Sequence, residues 1–332
     1  MTIYEIYDAV HYTPRVLSRL YLQITAAASL LQHSNGEESL TWVWRDLLDA
    51  VKCEQNPIRG LFLRYYLLQA LRDSLPDKET DEGKGCVKDA YEFVLENFME
   101  MNKLWVRIQH LPGEGGINVR KRRERERNDL RTLVGTNLIR LSQLEQVTSK
   151  VYGEVILNQI LDHIVTSGDP LSQAYLMDCL VQAFPDEYHI ETLPVLLNVC
   201  PRLKDKVNIR TILQGLMERL SNYLNDGELS VDESDTNNVK KQLAMDAFGM
   251  VSDCVQSVYN ARGPKLTSKE VIRLQTALIQ FSVKCYPDDT TQIGICLSGC
   301  VEALKQANAS YNVTEGTVVS DLPPASLDEV SV

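Results

Sequence analysis

Apolar residues recur along this chain at intervals of three and four. Leu130, Leu133, Val134, Leu138, Leu141 and Leu144 form one such stripe. Ile156, Leu157, Ile160, Leu161 and Ile164 form a second, and Ile209, Ile212, Leu213, Leu216 and Leu220 a third. That spacing gathers side chains on one face of a helix, and no segment alternates as a half-buried strand would. The pattern predicts helices over 3–12, 15–33, 38–52, 57–74, 86–110, 119–144, 149–166, 169–183, 188–199, 206–224, 237–260, 267–285 and 290–307. The fold class is all-α. Short connectors suit antiparallel neighbours, and no sharp period emerges. The architecture expected is therefore a degenerate α-solenoid of antiparallel helical hairpins, HEAT/armadillo-like, running continuously over 1–309, with compact bundles as the alternative.

Local chemistry sharpens several boundaries. Leu75-Pro76-Asp77, Phe184-Pro185-Asp186 and Tyr286-Pro287-Asp288 each place a bulky residue at a helix end, a proline that blocks continuation, and an aspartate able to cap the next helix. Asn56 is a suitable N-cap and Pro57 suits the first helical position. The helix from Pro57 is apolar on nearly every face, which predicts burial on most sides. Arg59 and Arg64 interrupt it and are expected to pair within the stack, since an unpaired buried charge is very costly. Gly60 lowers helix propensity by about 1 kcal/mol, which a close helix crossing could offset.

Three stretches lack the pattern. Acidic loops near 76–85 and 225–238 are expected to be mobile, and the tail 310–332, with four acidic residues, no basic ones and Pro323-Pro324, is expected to be disordered or a linker. A solenoid normally ends on a polar capping repeat, which this tail cannot supply, so the chain reads as cut from a longer protein.

Composition narrows the function classes. Of 332 residues, 44% are hydrophobic and 24% charged, as in an ordinary soluble fold. A net charge of −11 argues against general affinity for nucleic acid or anionic lipid. No apolar run approaches the roughly 20 residues of a membrane span, and the N-terminus lacks the basic-then-apolar code of a secretory signal. Eight cysteines are scattered without a CxxC pair, which fits a reducing cytosol. The sequons at Asn308 and Asn312 are then idle matches. The histidines at 11, 33, 110, 163 and 189 have no close metal spacing, and Cys296 with Cys300 lacks further ligands, so no metal and no cofactor is expected. Gly113, Gly115 and Gly116 lack the lysine and preceding strand of a phosphate loop. No nucleophile carries an elbow or an adjacent base signature. Catalysis is not expected.

Two features remain as interaction candidates. Arg120-Lys121-Arg122-Arg123-Glu124-Arg125-Glu126-Arg127 reads as a patch for an acidic or phosphate-bearing partner, or as a solvated helix start whose glutamates neighbour the arginines. The second reading is preferred. An RNA-associated helical-repeat protein using this run is the alternative function. Ser18-Arg19-Leu20-Tyr21-Leu22 opens an apolar helix. It is either core with Arg19 reaching to water, or a partner groove anchored by Arg19 and Tyr21.

The blocks Pro57–Arg64 with Tyr66–Gln69, Asn97–Arg107, Leu133–Leu138, Arg140–Glu145, Phe184–Glu187 and Lys284–Asp288 together resemble, in order, the family of the large α-solenoid subunit of retromer, vacuolar protein sorting-associated protein 35. The resemblance covers about Tyr4 to Leu304. It implies a non-enzymatic scaffold of an endosomal coat in retrograde transport from endosome to Golgi, cytoplasmic and peripheral on endosomes. By resemblance the partners are the arrestin-like retromer subunit, sorting nexins and a late-endosomal Rab GTPase, with no nucleic acid. The metallophosphoesterase-like subunit is not assigned, because the C-terminal solenoid that holds it in the family is not in this sequence. The family's Pro-Arg-Leu-Tyr-Leu motif, which grips the arrestin-like subunit, falls on Ser18 to Leu22. Arg19, Leu20, Tyr21 and Leu22 therefore inherit the partner-binding role by resemblance. Ser18 replaces the family's proline, and Pro14 is the expected substitute helix start.

Overall fold

The computed structural model describes residues 2–33, 41–77, 85–111, 116–225, 235–286 and 290–314, and among them it is helical without strands. The helices are α1 (Ile3–Val10), α2 (Val16–His33), α3 (Thr41–Ala50), α4 (Pro57–Leu71), α5 (Val87–Gln109), α6 (Ile117–Ser142), α7 (Ser149–Val151), α8 (Leu157–Ser167), α9 (Pro170–Ala183), α10 (Asp186–Glu191), α11 (Leu193–Val199), α12 (Ile209–Asn225), α13 (Asp235–Arg262), α14 (Ser268–Cys285) and α15 (Thr290–Thr314). They divide into two compact units, one ending at Gly263 and the other starting at Pro264.

Within the first unit, contacts sort the helices into two layers. One is α2–α4–α6–α9–α12, and the other is α3–α5–α8–α11–α13. Each layer is built by successive hairpins laying one helix beside its predecessor, which is how a solenoid buries stripes that no single hairpin could cover. The buried stripes are those read from the sequence, except that Leu130 and Leu133 of the first are half-buried: Val134, Leu138, Leu141 and Leu144, then Ile156, Leu157, Ile160, Leu161 and Ile164, then Ile209, Ile212, Leu213, Leu216 and Leu220. The second unit is the antiparallel hairpin of α14 and α15.

The cap predicted at Asn56 forms. Its Oδ1 accepts from the backbone N–H groups of Ile58 and Arg59, both at 3.1 Å, ahead of Pro57. Asp186 departs from expectation. It occupies the first helical position of α10 rather than capping it, and its carboxylate instead takes Arg219 Nε at 2.6 Å. Pro287 and Asp288, the third such stop, lie outside the described residues. The single helix expected over 188–199 is two. Pro194 brings no N–H and its ring crowds the preceding turn, and the chain breaks at Thr192 (φ −107°, ψ 8°) between α10 and α11. Of the expected acidic loops, 78–84 and 226–234 lie outside the described residues, while 235–238 open α13. The tail from 315 also lies outside them, whereas 310–314 complete α15.

The helix from Pro57 is not buried on most sides. Gly60, Leu61, Leu63, Arg64, Leu67, Leu68 and Leu71 are buried, but Ile58 (41%) and Phe62 (45%) are exposed. Helices α2, α5 and α6 pack around α4 and leave its remaining face open. Gly60 does mark a close crossing, because a Cβ there would stand 3.2 Å from Leu104 Cδ1 of α5.

Polar side chains peg the layers together. Arg64 is buried and its Nη1 donates to Asn97 Oδ1 at 3.4 Å, with Glu96 and Glu100 as nearby charges. Burial pushes its guanidinium below the usual range, and those carboxylates oppose the shift. Asn97 donates onward to Asn137 Oδ1 at 2.9 Å, and Asn137 to the Val134 carbonyl at 3.0 Å. Arg59, expected to pair within the stack like Arg64, is instead exposed. Other arginines donate to carbonyls at the ends of preceding helices: Arg127 to Gln109 and Leu111, Arg140 to Arg72, and Arg219 to Phe184, while Arg262 donates to Lys204, Asp205 and Val207 in the connector before α12. Helix C-terminal carbonyls are otherwise orphaned acceptors. A guanidinium from the next hairpin satisfies them and fixes its own helix in register.

Candidate functional site

The segment singled out in the sequence lies in the first turns of α2. The helix begins at Val16, two residues past Pro14, and Arg19 N–H donates to the Arg15 carbonyl at 2.9 Å. The buried face of α2 is Leu20, Gln23, Ile24, Ala27 and Leu30, spaced by three and four. The four candidate residues therefore do not share one surface. Leu20 is 2% exposed and belongs to the core against α1, α3 and α4. Arg19 and Tyr21 are half-buried, while Leu22 is 48% exposed.

Tyr21 is held by a neighbour the sequence pattern did not single out. Its ring centroid stands 5.1 Å from that of Tyr66 on α4 at 53°. Thr25 ties the pair, donating to the Tyr21 carbonyl at 2.8 Å while its hydroxyl lies 2.9 Å from Tyr66 Oη. Burial, and then Tyr66, raises the Tyr21 phenol above its ordinary pKa. Beside this cluster α4 exposes Ile58 and Phe62. The face offered by α2 and α4 thus combines apolar area with phenol hydroxyls, the amphipathic makeup common at protein interfaces. A sequence signal for Tyr66 existed in the four-residue spacing of Phe62 and Tyr66, but that helix read as buried on most sides.

The basic run opens α6. Arg127 spends its charge on Gln109 and Leu111 carbonyls at 3.0 and 2.9 Å, and Trp105 Nε1 donates to the Arg127 carbonyl at 3.0 Å. Arg122 pairs with Glu126 at 2.7 Å. The solvated-helix reading describes this part well, since Ile117 to Arg122 and Glu124 to Glu126 are exposed. Among the described residues no three potential ligands gather to hold a metal ion, and no helix is long and apolar enough to cross a membrane.

Comparison with known proteins bears out the family resemblance. Residues 1–322 match the family model described as vacuolar protein sorting-associated protein 35. The chain is 40% identical over 305 residues to vacuolar protein sorting-associated protein 35C of Arabidopsis thaliana, covering 91% of this chain and 37% of that protein. Against vacuolar protein sorting-associated protein 35 of Dictyostelium discoideum it is 36% identical over 306 residues, with the same shares. Its counterpart in Schizosaccharomyces pombe matches at 39% over 240 residues, 70% of this chain and 28% of that one. The chain thus spans well under half the length of the relatives it matches. With the family model matched over nearly its whole length, the chain belongs to the vacuolar protein sorting-associated protein 35 family.

Proposed function

We propose that this chain is a non-enzymatic scaffold of the retromer endosomal coat, supporting retrograde transport of cargo from endosome to Golgi on the cytosolic face of endosomes. The observation that carries the reading is membership of the vacuolar protein sorting-associated protein 35 family. A two-layered helical stack suits a scaffold, because it presents side chains on rigid helices over a long surface. In this reading α2 grips the arrestin-like retromer subunit through Arg19, Tyr21 and Leu22, and Leu20 positions them from the core. Sorting nexins and a late-endosomal Rab GTPase are further partners by family resemblance.

Interfaces rest on a few anchors rather than on total area, so the test targets those side chains. Copurification of the arrestin-like subunit should be lost with Arg19→Glu plus Tyr21→Ala and weakened about tenfold with Leu22→Asp. Undiminished binding by both variants, with circular dichroism unchanged, rejects the assigned site.

A further inference from the structure

Helix α6 extends beyond the body of the first unit by its first ten residues. From Ile117 to Glu126 every residue is exposed except the half-buried Arg123, a length of about 15 Å at 1.5 Å per residue. At 100° per residue, Arg127 and Arg131 lie on the side that meets the body, the first bonded to Gln109 and Leu111, the second 5.0 Å over the Tyr175 ring. Turned from that side by roughly 60°, 100° and 140°, Ile117, Lys121 and Arg125 each come four residues after the last and so form one exposed stripe. Ile117 is 74% exposed. Lys121 and Arg125 have no ion-pair or hydrogen-bond partner among the described residues, while Arg122 beside them is already bound by Glu126. Glu124 and Glu126 flank the stripe and Asp129 ends it.

We propose that the stripe Ile117–Lys121–Arg125 docks an extended acidic segment of a partner protein, with an apolar residue seated on Ile117 and carboxylates on Lys121 and Arg125. The spacing fits. Successive positions on the stripe are about 6 Å apart along the helix, and alternate residues of an extended strand, which point the same way, are about 6.6 Å apart. The matching segment therefore reads apolar, any, acidic, any, acidic, in either chain direction. Charge selects a peptide over a polyanionic surface. A bilayer or nucleic acid approaches across a broad area and meets Glu124, Glu126 and Asp129, and beyond them a chain of net charge −11. A single extended segment meets only the stripe.

Fluorescence anisotropy with the full chain tests this. The probe is a labelled twelve-residue peptide bearing leucine, aspartate and glutamate at alternate positions, set against a peptide of the same composition with its charges grouped at one end. Binding to the alternating peptide should be the tighter and should weaken several-fold from about 50 to 150 mM salt. It should fall about tenfold in Lys121→Glu plus Arg125→Glu, and about threefold in Ile117→Ser. Arg107→Glu, a charge reversal on α5, serves as the control and leaves binding unchanged. These side chains are exposed, so unchanged helicity by circular dichroism shows that the variants are folded. Equal binding of the two peptides, an unaffected double variant, or tighter binding of phosphatidylserine vesicles or oligouridylate at the same salt overturns the proposal.

Discussion

Arg262 serves three carbonyls at once, those of Lys204, Asp205 and Val207, at 3.1, 3.2 and 2.9 Å. It is 6% exposed, so truncation leaves those acceptors without their charged donor in a site poor in water. Hydrogen bonds to charged groups contribute about 1.5–3 kcal/mol each, and they are not additive. Arg262→Ala should therefore cost about 3 kcal/mol in urea unfolding, and Arg262→Lys should recover less than half, since an ammonium lacks the planar fork. Full recovery by lysine would mean that charge alone matters. The buried His189 and the half-buried His163 give a second test. Burial, and then Arg219, depresses His189 to about 4, while burial, and then Lys103, depresses His163 to about 4. Asn102 Nδ2 lies 3.0 Å from His163 Nε2, and a neutral ring accepts that bond. The unfolded chain, with histidines near 6.5, binds more protons than the folded one between pH 6.5 and 4. Their contribution is present above about pH 6.5 and is lost as pH falls toward 4. At most about 3 kcal/mol is at stake for the more deeply buried His189. Urea midpoints measured from pH 7 to 4.5 should fall, and less steeply in His189→Phe.

Packing between elements turns on Gly135, where α6 crosses α9. A Cβ at that position would stand 2.5 Å from Tyr175 Oη and 3.3 Å from Cys179 Sγ. Tyr175 has little room to move, because Trp105 packs edge-on at 5.7 Å and Arg131 covers its ring. Gly135→Ala should destabilise by about 1–3 kcal/mol despite its better helix propensity, and Tyr175→Phe in the same chain should return part of the loss. A stabilising Gly135→Ala would show that the crossing gives way easily. This crossing also shows where the sequence was mute. Stripes at three-and-four spacing named the helices and their buried faces, because burial selects apolar residues at that period. Which helix covers which was not encoded in the period, so α4 read as buried on most sides although α2, α5 and α6 leave Ile58 and Phe62 open. For the same reason Leu20 and Leu22 read alike, and only the packing of α2 separates the core residue from the surface one. Asn97 and Asn137, polar in apolar helices, gave no sign of bonding each other, since their partners are set by tertiary contacts.

A stack of hairpins, each touching its neighbours, has stability set by nearest-neighbour interfaces, which makes truncation a sharper probe than any point substitution. The first unit ends at Gly263, directly after Arg262. Up to that residue the two layers are complete, with α13 lying against α10 and α11 and burying Ala247, Phe248, Val251, Cys254, Val255 and Val258. A chain of residues 1–263 should therefore unfold in one cooperative transition monitored by circular dichroism. Ending at 225 instead removes α13. That uncovers Leu196 and Leu197 on α11, takes the Arg262 guanidinium from three carbonyls, and deprives the Leu197 carbonyl of its contact with Cys254 Sγ at 3.5 Å. The loss should spread only as far as the interfaces it touches. Residues 1–225 should then show a broadened transition with reduced helicity, while amides of α4 and α5, several hairpins away, keep the hydrogen-exchange protection they have in 1–263. Equal loss of protection along the whole fragment would mean that the first unit folds as one indivisible core rather than as a stack.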